Sequence, residues 1–316
     1  MKYVLLLKRL FMSLVTALLV SLLCFAIMYA APGDPAEMML RHKDPTGGLN
    51  DKTVEMYAEK LGTDRSFFDQ YFSWLDAAVR GDLGTSYKTG EPVFYEFNSR
   101  IGCTILLMVF SLLIALITGL LLGMLSARYH NGVLDRITRF LTVFNMSVPS
   151  FWLSLLALWI FSVQFKLLPS FGYEGPSSLI LPSFVQGISY SGTFLRVTRT
   201  CAFDSLSSGY VMTARAKGMG EFSVLVRHVL KNIMIPVLTI LGGSIASMIG
   251  GNVIIENIFG LPGIGNYLVS AIMIKDFPVI LGFLFILGLI VIVVNLIIDY
   301  IYTLLDPRVR QAGNER

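Results

Sequence analysis

The chain has 316 residues, 54% of them hydrophobic and 15% charged, with a formal net charge of +4 and a mean hydropathy of +0.68. A composition this apolar excludes an ordinary soluble globule and points to a lipid bilayer. The small positive balance then bears on membrane topology, and no nucleic-acid partner is expected.

Six stretches are long and apolar enough to cross a bilayer as helices of about 17–25 residues. They run from Leu10 to Ala30, Ile101 to Ala127, Phe140 to Phe165, Leu179 to Val197, Ile233 to Ile255 and Val279 to Leu304. Lipid offers no partner for a bare peptide group, so the expected fold is all-α, a polytopic bundle of six transmembrane helices. The first run follows Lys8 and Arg9 as a secretory signal would. At roughly 20 residues it exceeds a cleavable hydrophobic region and reads as a retained span.

Between the first and second runs lies a segment, 31–100, whose acids outnumber its bases. Its Phe67, Phe68, Tyr71, Phe72 and Trp74 predict a small packed helical unit. The division expected is therefore 1–30 for the first span, 31–100 for this outer-face segment, and 101–316 for a core of five helices. The fourth run is the least regular, because Pro182, Gly187 and Gly192 interrupt it and several hydroxyls dilute it.

An even number of spans puts both termini on one side. If that side is the cytoplasm, it collects Lys2, Lys8, Arg9, Arg128, Arg136, Arg139, Arg196, Arg199, Arg215, Lys217, Arg227, Lys231, Arg308, Arg310 and Arg316. This is the positive-inside distribution. Small residues recur at every fourth position, Ala115, Gly119, Gly123 and Ala127 in the second run and Gly242, Ala246 and Gly250 in the fifth. Gly243, Ser247 and Gly251 form a neighbouring stripe. Such stripes let helices approach closely, within one subunit or across a seam between two.

Catalytic signatures are missing. There is no phosphate-binding G-x-x-x-x-G-K-[ST] loop, no H-E-x-x-H and no G-x-S-x-G. Cys24, Cys103, Cys201 and the scattered His42, His130 and His228 suggest neither a disulfide nor a metal site. The chain reads as non-catalytic and without a cofactor of its own. Ionisable residues near the spans, which a self-powered transporter needs, come down to Glu256 and Asp299 at predicted helix ends. Energy is therefore expected from another subunit; a stand-alone secondary transporter or channel is the alternative of another class.

Between the fourth and fifth runs lies a basic stretch of about 30 residues, too long for a bare connection. In "EFSVLVRHVLKNIMIP" the residues Phe222, Leu225, Val226, Val229 and Leu230 are spaced as one helical face, with Arg227 and Lys231 on another. Just upstream, Ala214, Ala216, Gly218 and Gly220 offer a small-residue surface fit for a soluble partner.

"GYVMTARAKGMGEFSVLVRHVLKNIMIPVLT" resembles the coupling segment of permease subunits in ATP-binding-cassette importers of the peptide and nickel type. "APGDP" at 31–35, "GDLGTSY" at 81–87, "SVPSFWL" at 147–153, "LLPSFGY" at 167–173, "FLRVTRT" at 194–200, "ENIFGLPGIGNYLVSAI" at 256–272 and "NLIIDYIYTLLDPRVR" at 295–310 resemble the same family in the same order. The resemblance implies the type I importer permease fold in a bacterial cell membrane and the place of the first, B-type, subunit. Implied partners are a homologous second permease, two ABC ATPase subunits or domains that use ATP and Mg, and an extracytoplasmic substrate-binding protein. It assigns ATPase coupling to segment 199–232, above all to Ala214, Arg215, Ala216, Lys217, Gly218, Gly220 and Glu221.

A solute path needs polar groups that lipid would reject. Ser183, Gln186, Tyr190 and Thr193 share one face of the fourth run, and Asn252 and Glu256 lie one turn apart at the outer end of the fifth. These six are the expected translocation path, with Glu256 near an outer gate; hydrogen bonding between helices is the other reading. Within the family, "SVPSFWL", "GYEG" and "IIENIF" lean the cargo narrowly towards nickel or another metal chelate, with di- or oligopeptides next.

Overall fold

The computed structural model describes residues 2–30, 36–37, 39–40 and 51–305. Residues 31–35, Asp44, Arg308, Arg310 and Arg316 lie outside that set, as do the side chains or surroundings of Lys2, Lys8, Arg9, Asp51, Gly250, Gly251 and Asp299. Among the described residues the chain is helical, and its one strand-like contact is an isolated bridge between Thr85 and Pro92. Four helical stretches are long and apolar enough to span: Phe11–Tyr29, Val93–Arg128, Glu221–Ile249 and Phe277–Ile298. Counting two broken helix pairs once each raises the total to six.

The helices are α1 (Lys2–Tyr29), α2 (Asp51–Leu61), α3 (Phe67–Val79), α4 (Val93–Arg128), α5 (Val133–Ser147), α6 (Ser150–Ala157), α7 (Ile180–Leu206), α8 (Gly209–Ala216), α9 (Glu221–Val224), α10 (Leu230–Gly251), α11 (Val253–Phe259), α12 (Ile264–Ile274) and α13 (Phe277–Leu305). Two π-helical pieces extend this set, Leu158–Gln164 after α6 and Leu225–Val229 between α9 and α10. The third expected span, Phe140 to Phe165, is not one straight helix: α5 and α6 meet at 103°. Proline explains the break. Pro149 lacks an N–H and pushes Val148 out of the helical region, to φ −86° and ψ 125°. The fourth expected span does form a helix, α7, but it is not among those apolar enough to pass as a membrane span.

Two compact units divide the chain. The first comprises Met1–Cys103 and Pro262–Val293, the second Thr104–Leu261 and Val294–Arg316.

In the first unit the aromatic residues of α3 form the packed helical unit expected of them. Phe67 and Tyr71 meet the Phe25 ring of α1 edge-on at 5.5 and 5.6 Å, and Trp74 meets Phe285 of α13 at 5.3 Å. Tyr71 also shares a hydrogen bond with Ser21 at 2.9 Å. Beyond α3 a tight hairpin closes through Ser86 N–H to Glu91 O and Val93 N–H to Gly84 O. Asp276, at the α12–α13 junction, is buried and accepts from the Ser86 hydroxyl and the Tyr87 and Lys88 amides.

The second unit is built around α7. The small-residue stripe of α4 lies against it: a Cβ on Gly119 would fall 2.3 Å from Phe194 Cβ, and one on Gly123 would fall 2.7 Å from Thr198 Cβ. Ala115 and Ala127 continue the buried stripe. This stripe therefore packs within one subunit. On α7 itself, a Cβ on Gly187 would strike Ile114 of α4 at 2.7 Å, and Gly192 faces Thr142, Asn145 and Met146 of α5. In the other predicted stripe Gly242 meets Ile298, whereas a Cβ on Gly243 would meet nothing within 4 Å.

Gly119→Ala should lower stability by about 1–3 kcal/mol, since Phe194 and its backbone cannot withdraw. Gly243→Ala should be neutral or stabilising by up to about 1 kcal/mol, because helix propensity rises and nothing is displaced. Thermal melts of the detergent-solubilised chain check both.

Candidate functional site: a coupling turn and a polar seam

Helix α7 ends at Leu206, and after Ser207 and Ser208 the chain restarts as α8. Gly218 sits at φ +81° with no neighbouring atom within 4 Å of a would-be Cβ. Backbone conformation, not space, selects glycine there. Gly220 is extended, at φ −65° and ψ 150°, and leads into α9. Arg215 closes the turn with two hydrogen bonds to Glu221, Nε to Oε1 at 2.8 Å and Nη2 to Oε2 at 3.2 Å. Both side chains are over a third exposed, 43% and 37%, so the pair shapes the turn more than it stabilises the fold. Ala214 is buried beneath the turn; Ala216, Lys217, Gly218 and Gly220 are exposed.

The expected single apolar stripe divides in two. Leu225 and Val229 are buried with Val211, Ala214, Val224 and Ile233, against Ala127 of α4 and Ala202 of α7. Phe222 and Val226 instead face outward at 78% and 44% exposure, and Leu230 is half-buried. The cause is the π-helical turn at Leu225–Val229, which adds a residue to the repeat and breaks the 3.6-residue spacing on which the stripe rested. Met212, 69% exposed on α8, joins Phe222 and Val226 in an outward set of large apolar side chains.

The polar residues of α7 form a seam. Gln186 is buried: its carbonyl oxygen accepts from Ser111 Oγ of α4 at 3.1 Å, and its amide donates to Asn252 Oδ1. Tyr190 OH and Ser247 Oγ of α10 are 3.0 Å apart. Glu256 on α11 is fully buried and accepts from Thr104 Oγ1 of α4 at 2.6 Å. Ser183 is buried and Thr193 half-buried on the same face. Two buried atoms of the seam, Ser183 Oγ and Asn252 Nδ2, have no hydrogen-bond partner.

The structure thus brings Gln186 and Asn252 into direct contact and ties Tyr190 and Glu256 to neighbouring helices. Thr104 and Ser111, seven residues apart and so on one face of α4, escaped the sequence reading. Asp135 did too, although it is the only acid between Glu96 and Glu174. It is fully buried and gathers Ser126 Oγ (2.6 Å), Asn131 N (3.0 Å) and the Arg199 guanidinium, Nε to Oδ1 at 2.6 Å and Nη2 to Oδ2 at 3.1 Å.

Residues 119–311 match the family described as the binding-protein-dependent transport system inner membrane component, and residues 2–108 match its N-terminal region. The chain belongs to this family. It is a permease subunit of an ATP-binding-cassette importer, a multi-pass protein of the bacterial inner membrane. A putative peptide permease protein of Brucella suis biovar 1 is 36% identical over 315 residues, covering 96% of the permease and 98% of that protein. A glutathione transport system permease protein of Escherichia coli O6:H1 is 34% identical over 303 residues, covering 96% and 97%. Among solved structures, an inward-facing methionine ABC transporter, MetNI, superposes with a TM-score of 0.54 at 13% identity, over 67% of the permease and 97% of that chain. An amino acid ABC transporter gives 0.50 at 17% identity, over 68% and 94%. These two share the permease's fold.

Gln186→Leu removes the donor to Asn252 Oδ1, stranding a buried amide, while Ser111 keeps its bond to the Leu107 carbonyl. The expected loss is about 1–3 kcal/mol, while Arg215→Ala should change stability by less than about 1 kcal/mol. Melting temperatures of the two variants, compared side by side, test the contrast.

Proposed function

We propose that the permease forms half of a translocation pathway for short peptides and is driven by ATP hydrolysis in partner subunits that seat on the Ala214–Glu221 turn. The observation that carries the coupling reading is the outward set Met212, Phe222 and Val226, large apolar side chains held on a turn whose inner side is fully packed. Exposed apolar groups on a segment that also exposes Arg215, Lys217 and Arg227 fit a water-soluble partner's groove. Ala214 anchors the turn from below, Gly218 and Gly220 set its shape, and the Arg215–Glu221 pair fixes its two ends. ATP and Mg belong to the ATPase partners, two subunits or domains.

The assembly also takes a homologous second permease, with this chain in the first position, and an extracytoplasmic binding protein that delivers cargo. Short peptides come before a nickel or metal chelate because the peptide and glutathione permeases resemble this chain along nearly its whole length. That reverses the narrow lean towards nickel drawn from three short motifs.

Ser183, Gln186, Tyr190, Thr193, Asn252 and Glu256 supply the hydrogen-bonding wall of the path. The unpartnered Ser183 Oγ and Asn252 Nδ2 support this, since they leave the seam with unused capacity for a peptide's amides.

Met212→Asp combined with Phe222→Asp changes only exposed positions, so the chain should fold and insert normally. Its ATPase partners should no longer co-purify, and uptake should fall more than about tenfold, within the span of typical coupling energies. Proteoliposomes holding the complete assembly, offered labelled glutathione, trialanine and a nickel–histidine chelate, should accumulate a peptide. Accumulation of the chelate alone would reverse the cargo assignment, and unchanged co-purification of the double variant would remove the coupling one.

A further inference from the structure

Helix α5 lies antiparallel against α7. At one end of their contact Gly192 of α7 admits Thr142, Asn145 and Met146, and Asn145 Nδ2 donates to Ser191 Oγ at 3.2 Å. At the other end, two turns further along α7, Arg199 meets Asp135 through both prongs of its guanidinium. Asp135 is fully buried and Arg199 is only 19% exposed.

The carboxylate has a complete shell. Besides Arg199 it accepts from Ser126 on α4 and from the Asn131 amide in the connecting loop, with Arg139 Nη2 3.4 Å and His130 Nδ1 3.9 Å from Oδ2. Thr138 Oγ1 donates in turn to Ser126 Oγ at 2.8 Å. One acid thus joins α4, α5 and α7 at a single point.

That point lies seven residues before α7 ends at Leu206, and α8 follows after Ser207 and Ser208. This end of α7 is covalently continuous with the coupling turn and packs against it at Ala202, so it is one route by which force applied there enters the second unit. Elsewhere α5 and α7 touch around Gly192 and through the single neutral Asn145–Ser191 hydrogen bond, a contact weak enough to permit the slides of about 1–2 Å that packed helices make. A two-pronged ion pair on a fully buried carboxylate resists sliding, because a shift of one helix breaks both charge-assisted bonds to Arg199 at once.

We propose that Asp135 is a positioning residue for transport: through Arg199 it makes α5 follow α7 when the coupling turn moves, so that work received at α8 reaches α5 and the Pro149 bend. This rests on the coupling reading above. Four observations support it: the burial of both partners, the two-pronged geometry, the convergence of three helices on one carboxylate, and the short run from Arg199 to α8.

The test uses the complete assembly with its ATPases, carrying nitroxide labels at Phe140→Cys on α5 and Arg196→Cys on α7, both exposed positions, with the native cysteines changed to serine. Electron–electron distances are measured without nucleotide and after trapping with ATP and vanadate. With Asp135 in place the two labels should keep one distance in both states. With Asp135→Asn the distance should shift or broaden on trapping, while the ATPases still co-purify.

Asp135→Glu, which keeps the carboxylate, should restore the single distance; a purely structural role would predict no nucleotide-dependent difference among the three. Should Asp135→Asn fail to assemble, Arg199→Lys carries the same test, since an ammonium keeps the charge but loses the fork. A labelled Asp135→Asn or Arg199→Lys assembly whose distance stays fixed on trapping overturns the proposal. An otherwise native assembly that retains no ATPase instead overturns the coupling reading on which the proposal stands, so the two failures are told apart.

Discussion

Helix α7 carries Gln186, Tyr190, Ser191 and Arg199, polar groups that must find partners in protein because lipid supplies no hydrogen bonds. Each of the four bonds to a side chain outside α7, while the buried Ser183 and Thr198 hydroxyls do not. This requirement organises the second unit. It places α4 where Ser111 meets Gln186, α5 where Asn145 meets Ser191 and Asp135 meets Arg199, and α10 where Ser247 meets Tyr190. Glycine makes the approach possible: Gly119, Gly123, Gly187 and Gly192 each sit where a methyl group would press on a neighbour. Close backbone approach and polar satisfaction are two sides of one arrangement, since hydroxyl and amide groups reach only a short way from the helix axis.

The fold class was legible because hydropathy and helical period are local properties. The aromatic cluster of α3 was legible for the same reason: so many rings in one short stretch have to pack. The third span was misread because Pro149 lies within an unbroken apolar run, and hydropathy counts the run while ignoring the missing N–H. The stripe from Phe222 to Leu230 was misread because nothing in composition announces a π turn, and a single added residue sends Val226 outward and Val224 inward. The residues around Gly218 could be singled out by resemblance, whereas the inner packing of Val211 and Ala214 against Ala202 is a tertiary fact.

Asp135 illustrates a different kind of blindness. As one acid among Arg128, Arg136, Arg139, Arg196 and Arg199, it looks like a minor correction to a positive surface when charges are only counted. Its isolation in sequence was the available signal: several cations compete for a single carboxylate, which can therefore gather more than one of them. The structure shows that choice, Arg199, 64 residues away.

The two halves of the α7 interface differ in kind, and magnitudes indicate which yields first. Towards its N-terminus the helix is held by single neutral hydrogen bonds from Gln186 and Tyr190; between membrane helices such bonds average only about 0.6 kcal/mol each, because separated helices find other partners. Towards its C-terminus it is held by the fully buried Phe194 and Leu195 packed beside Gly119, and then by the ion pair of Arg199. Parting that pair takes from a fully buried carboxylate two charge-assisted bonds, each worth about 1.5–3 kcal/mol. A force strong enough to open the seam at Gln186 therefore leaves the Arg199 end closed. The two unpartnered polar atoms of the seam, Ser183 Oγ and Asn252 Nδ2, lie at this weaker, N-terminal half of the α7 interface.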